Sequence, residues 1–132
     1  MLRITKKFEY GLMAVRYIAS TPNGEVATAK EISQRTGIPY ELLAKTLQRL
    51  AKASIISSVQ GVKGGYLLAK PPGEISLGEV AEAIEGPMNL TECQATSDTC
   101  DIFSSCAIKK PLITIQRRFK EIFDGATVAE IM

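Results

Sequence analysis

The chain has no histidine. That removes the commonest general base, and the sequence also offers no Walker-type loop, no dinucleotide fingerprint and no nucleophile elbow. An enzyme is therefore the least favoured class. Long apolar runs are missing as well, and the opening Met1-Leu2-Arg3-Ile4-Thr5-Lys6-Lys7 lacks the uncharged apolar segment of a secretory signal. No membrane partner is expected, and the expected location is cytoplasmic. Cysteine is scarce: the three copies, Cys93, Cys100 and Cys106, lie within fourteen residues of one another. An odd number excludes a complete intramolecular disulfide framework, and in a reducing compartment such a group points to metal binding or redox sensing. Thiolates are soft ligands suited to iron-sulfur clusters, zinc or cuprous copper, so three on one segment can hold a centre whose fourth ligand comes from elsewhere.

At 132 residues with 45% apolar content the chain can build one compact core. Its net charge of +2 conceals an asymmetry. Residues 1–70 carry eleven Lys and Arg against four Glu, giving +7, whereas residues 71–132 carry five against ten Asp and Glu, giving −5. A basic front half suits a polyanionic partner, although lysines also simply solvate helix surfaces.

Helical periodicity places Phe8, Leu12, Val15 and Ala19 on one face of a first helix that Thr5 would cap. Thr28-Ala29-Lys30-Glu31 reads as a capping box opening a short second helix, Gly37 ends it, and Pro39 starts a third. There Leu43, Leu47 and Leu50 form a buried stripe, leaving Glu41, Ala44, Lys45, Gln48 and Lys52 opposite. Ile55–Val59 and Tyr66–Leu68 read as strands around the turn Gln60-Gly61-Val62-Lys63-Gly64-Gly65, whose glycines permit positive φ and close approach to a duplex. A hairpin following a helix-turn-helix makes a winged helix, with the third helix for the major groove and the wing for phosphates or the minor groove. Ser76-Leu77-Gly78-Glu79 opens a further helix that Gly86-Pro87 stops, and the cysteine segment follows. After it, with Pro111 in the first turn, Leu112, Ile115, Phe119 and Ile122 form a seam suited to pairing with another helix, and Thr127-Val128-Ala129-Glu130 reads as a final capped turn. The expected fold class is mainly α with a small β-wing: a winged helix-turn-helix head over 1–86, a cysteine-containing cluster-binding loop over 87–108, and a dimerisation helix with a C-terminal turn over 109–132.

The Leu2-Arg3-Ile4-Thr5-Lys6 start, the Gly61-to-Leu68 wing, the Ser76-to-Val80 helix start and the three-cysteine loop together resemble the bacterial Rrf-two regulators, along essentially the whole chain. The resemblance implies a dimeric winged-helix transcription factor that binds double-stranded operator DNA. It also implies an iron-sulfur cluster, [4Fe-4S] or [2Fe-2S], with Cys93, Cys100 and Cys106 as ligands. The IscR-like branch completes its site with a histidine three residues after the last cysteine; that position here is Lys109, so such a site is excluded. The NsrR-like branch places a carboxylate on the first helix, contributed across the dimer, and the matching residue is Glu9. Pro39-Tyr40 and Ala44-Lys45 also look more like that branch. Glu92, Asp98 and Asp101 compete locally for the fourth place.

On this reading Thr28, Lys30, Pro39, Tyr40, Glu41, Ala44, Lys45, Gln48, Gln60, Gly61, Lys63, Gly64 and Gly65 form the DNA surface. Gln60 departs from the family, which often carries arginine before the wing glycine, and it can bond adenine or phosphate without bringing charge. The leading function is a dimeric repressor sensing nitric oxide, redox state or iron-sulfur status. The alternatives are a thiol-redox or partner-controlled regulator without a cluster, or one with structural zinc; zinc ranks lower because its ligands usually come in closely spaced pairs.

Overall fold

The computed structural model describes residues 3–90 and 105–132. Their order is α1 (Lys6–Ser20), α2 (Ala29–Thr36), α3 (Tyr40–Lys52), β1 (Ile56–Val59), β2 (Gly65–Leu68), α4 (Leu77–Glu85) and α5 (Lys109–Gly125), with 3-10 turns at Pro72–Glu74 and Val128–Ile131. This is the expected class, mostly helical with a two-stranded antiparallel wing. No described helix is long and apolar enough to cross a membrane.

Three helices begin where the sequence supplies a capping hydroxyl. Thr5 Oγ1 accepts from the Phe8 N–H at 3.2 Å, Thr28 Oγ1 from Glu31 at 3.1 Å, and Ser76 Oγ from Glu79 at 3.0 Å. In the last two the glutamate closes the box by accepting from the cap N–H. Each cap satisfies a backbone donor with no partner inside the helix, worth about 1 kcal/mol. Pro39 precedes α3, and its missing N–H costs nothing there.

The core gathers Phe8, Val15, Ile18, Ile32, Leu43, Leu47, Leu50, Ile55, Ile75, Val80 and Ile84, all buried. On α3 the leucine stripe is as expected, with Thr46 joining it by donating its hydroxyl to the Leu42 carbonyl at 2.9 Å. On α1 the expected stripe is shifted: Leu12 and Ala19 are half-buried at the edges, while Gly11, Ala14 and Ile18 are buried. The shift follows from packing against α3, α4 and β2 together. A Cβ at Gly11 would lie 3.0 Å from Ile84 Cγ1, so a residue with no side chain sets the approach of α4.

β1 and β2 pair with Ile56 opposite Leu68 and Val59 opposite Gly65, so Gly65 belongs to the strand and not to the turn. Ala27, just ahead of α2, adds a third partner: Tyr66 N–H donates to the Ala27 carbonyl at 2.8 Å and Ala27 N–H to Tyr66 at 3.1 Å. The wing base is thereby tied to the start of α2.

The last segment returns to the head. Val128 is buried and its N–H donates to the Ile75 carbonyl at 2.9 Å, Leu77 N–H donates to Ala126 at 2.8 Å, and Arg16 Nε donates to the Ile131 carbonyl at 2.8 Å. Phe123 meets Phe8 edge to face with centroids 6.0 Å apart. Thr127 N–H donates to the Glu130 carboxylate at 2.6 Å, as the expected capped turn requires.

Candidate nucleic-acid interface and cysteine segment

At about 100° per residue, Tyr40, Glu41, Ala44, Lys45, Gln48 and Lys52 fall on one arc of α3, opposite the leucine stripe. All but the half-buried Ala44 are exposed, and Tyr40 retains 56% of its surface. This arc is built because the core needs only the other side. Gly37, left-handed at φ +81°, turns the chain between α2 and α3, and Ser33 Oγ donates to the Ile38 carbonyl at 2.6 Å to fix the turn. Tyr17 Oη donates to Glu31 Oε1 at 2.9 Å, so the capping box of α2 is also held by α1. The same bond raises the tyrosine pKa above its ordinary value, with burial and the carboxylate charge adding to it.

Thr28 and Lys30 lie at the start of α2, Thr28 exposed, beside the Ala27 bridge to β2, so the fold brings them next to the wing base. Gln60, Gly61, Val62 and Lys63 are exposed at the wing tip, and Val62 projects fully into solvent. Of the three wing glycines only Gly61 has a positive φ, +115°, which corrects the expectation for the other two. Gly64 and Gly65 are needed for space: a Cβ at Gly64 would meet the Val59 carbonyl oxygen at 2.5 Å, and one at Gly65 the Ala27 oxygen at 2.8 Å.

The basic half has cations to spare. Among the described residues the ion pairs are Lys6–Glu9, Lys70–Glu79 and Lys120–Asp124, so Lys30, Lys45, Lys52 and Lys63 stand outside them.

Cys93 and Cys100, with Glu92, Asp98 and Asp101, lie outside the described residues; Cys106 is a free, half-buried thiol just ahead of α5. Leu90, at the other end of the segment, donates its N–H to Gln116 Oε1 at 2.8 Å, so the start of the cysteine segment is bonded to α5, the helix that its other end enters after Cys106. Glu9 is half-buried in the first turn of α1 and pairs with Lys6 at 3.0 Å. Among the described residues no group of three His, Cys, Asp or Glu side chains gathers around a metal position. Cys93, Cys100 and Cys106 are soft thiolate donors of the type that ligates iron-sulfur groups, whereas the Glu9 carboxylate is a hard donor.

One further residue of functional interest has no signature in the sequence. Arg49 lies on α3 but its Nη1 donates to the Ile84 carbonyl at 3.0 Å, at the C-terminal turn of α4. Periodicity alone gives no signal for this bond, because its partner is 35 residues away.

Residues 4–132 match the sequence model of the Rrf2 family, described as an iron-dependent transcriptional regulator. CymR (YrzC), the global cysteine regulator of B. subtilis, is similar with a TM-score of 0.75 at 25% identity, over 99% of this chain and 96% of that one. Staphylococcus aureus CymR in an oxidized form gives 0.71 at 26%, over 96% and 93%. T. potens IscR gives 0.70 at 23%, over 98% and 85%, a likeness of fold.

Proposed function

Since the chain belongs to the Rrf2 family of transcriptional regulators, which bind DNA and are not enzymes, we propose that it is a homodimeric repressor controlled by an iron-sulfur cluster on Cys93, Cys100 and Cys106. The observation that carries this reading is the grouping of the three cysteines within fourteen residues, on a segment whose start is bonded through Leu90 to Gln116 of α5, beside a head whose α3 arc is exposed. The operator is held by the α3 arc and the wing, with Lys30, Lys45 and Lys63 on phosphates and Tyr40, Gln48 and Gln60 toward bases. Replacing any one of these three lysines with alanine should flatten the salt dependence of affinity by about one unit of slope.

Residues 1–86 form the DNA-binding head, to which residues 126–131 return, 87–108 the cluster-binding segment, and α5 within 109–132 the dimerisation part. Ile108, Ile115 and Ile122 recur every seven residues along α5 and its N-cap and keep 60%, 41% and 66% of their surface, while Leu112 and Phe119 interleave at three and four. That spacing is the seam of a paired helix, and a second copy covers it. The partner subunit supplies the Glu9 carboxylate, which must leave or share its Lys6 ammonium to bind iron. When bound, the cluster supplies an iron whose carboxylate ligand is more labile than thiolate, open to nitric oxide or oxidants.

The test is anaerobic purification with visible absorption and counts of iron and acid-labile sulfide per chain. A broad visible band with both elements supports the cluster and their ratio chooses its type; a colourless protein that resists reconstitution overturns it. A second reading, a thiol switch without iron, is favoured by the likeness to CymR in an oxidized form. It would give no iron and a disulfide under oxidation.

A further inference from the structure

α4 ends at a junction of two side-chain bonds. Arg49 Nη1, from the recognition helix, donates to the Ile84 carbonyl at 3.0 Å; one residue later Glu85 Oε1 accepts from the Thr5 hydroxyl, the cap of α1, at 2.6 Å. Gly86-Pro87 follows, and the backbone runs through Leu90 into the cysteine segment. The C-terminal carbonyls of a helix have no partner within it and carry partial negative charge, so a guanidinium is a strong and directional clamp there. On α3 Arg49 stands at the edge of the DNA-facing arc, one residue after Gln48 and four after Lys45. Arg49, itself exposed, thus makes one hydrogen bond between the end of α4, where the chain turns toward the cysteine segment, and α3.

We infer that Arg49 is a positioning residue that couples the state of the cysteine segment to the orientation of α3, and not a phosphate contact. A displacement of the α4 end by the segment beyond it is carried to α3 through the Ile84 carbonyl, while the Thr5–Glu85 bond moves the start of α1 with it. This rests on the cysteine-sensing reading above. Coupling requires the two segment states to differ in free energy with the two α3 orientations, and typical allosteric factors are about 5- to 150-fold.

The experiment uses a duplex selected from a random-sequence pool with the full-length protein. Affinity is measured for the protein with free thiols, with its thiols capped by N-ethylmaleimide, and with the cluster reconstituted. In the wild type at least one change of state should alter affinity by about fivefold or more. In Arg49→Gln that ratio should fall to about one, with the free-thiol affinity within about threefold of wild type and its salt slope unchanged; Arg49→Lys, which can still donate to the carbonyl, should restore part of the ratio. In the free-thiol protein, without any cluster, amide exchange across 40–52 should rise in Arg49→Gln. A wild-type ratio retained in Arg49→Gln overturns the proposal. So does a salt slope lowered by about one unit, which would make Arg49 a phosphate contact. If reconstitution alone leaves wild-type affinity unchanged, the cluster reading fails and the thiol-capping ratio still judges Arg49; no ratio in either comparison overturns both.

Discussion

Gly64→Ala should open the wing without unfolding the head. The added Cβ would lie 2.5 Å from the Val59 carbonyl oxygen and 2.9 Å from that of Gly61. Both are backbone atoms of the same turn, which Gly64 N–H closes on the Gly61 carbonyl at 3.0 Å, so neither can yield while the turn stays closed. Overpacking of this kind costs about 1–3 kcal/mol, offset by about 0.4–1 kcal/mol because alanine narrows the unfolded ensemble. A two-stranded hairpin is marginal by itself, whereas the base is held by the Ala27 bridge and by Ala69 N–H on the Ile55 carbonyl at 3.0 Å. The penalty is therefore relieved by opening the tip and not by melting the core. A closed population reduced by that net cost, at most about 2.6 kcal/mol, lowers apparent DNA affinity by up to roughly eightyfold, since affinity scales with the competent fraction. Fluorescence anisotropy across a salt series should show that loss with a slope about one unit flatter, the result expected if the proposed Lys63–phosphate contact is lost. Amide exchange should quicken over 59–66 while the thermal transition of the head barely moves. Gly73→Ala, with nothing within 4 Å of its added Cβ, is the matched control and should change none of these. Wild-type affinity and slope in Gly64→Ala, with the turn still protected, would refute both the crowding argument and the role of the wing.

Two further outcomes follow from the charges and the exposed seam. Burial would raise the Glu79 pKa, but the Lys70 ammonium at 2.6 Å and the Ser76 N–H and hydroxyl outweigh it and hold the carboxyl below its ordinary 4.5. Its contribution to stability is thus present above about pH 4.5 and lost as pH falls through the lower folded-state value. Because the side chain is 41% exposed, Glu79→Gln should cost under about 1 kcal/mol at pH 7, and urea titrations should find the difference from wild type vanishing as pH falls below the lowered folded-state value. Glutamine at that position still closes the capping box, so the substitution isolates the charge. On α5, Ile115→Asp with Ile122→Asp places two carboxylates in the apolar seam; sedimentation should find a monomer with an unchanged helical signal, and a persistent dimer would move the interface elsewhere.

What the sequence discloses about this fold is whatever a few neighbouring residues decide. Thr28 with Glu31 and Ser76 with Glu79 announce helix starts because both partners of each bond lie within one turn. The wing is legible from β-branched residues flanking glycines. Contacts set by distant elements are not. Gly11 carries no signal in the sequence, yet a Cβ there would meet Ile84 of α4 at 3.0 Å; Val128 reads as part of a terminal turn, yet it is buried and bonded to the Ile75 carbonyl. The candidate site divides the same way: the grouping of its three cysteines is legible in the sequence, and the joining of their segment to α5 through Gln116 is not.

Arg49 makes the limit concrete. On one helix cations look alike in sequence, and of Lys45, Arg49 and Lys52 the sequence reading places Lys45 alone on the DNA surface. Whether a cation can serve the duplex depends on whether the fold leaves its head free. Lys45 and Lys52 stand outside the described ion pairs, while Arg49 is engaged by a carbonyl at the end of α4. An arginine released from that carbonyl would add a positive charge to the edge of the DNA face while leaving the α4 terminus unclamped. The position therefore trades affinity for connection, and replacing it should change how the protein responds before it changes how tightly it binds.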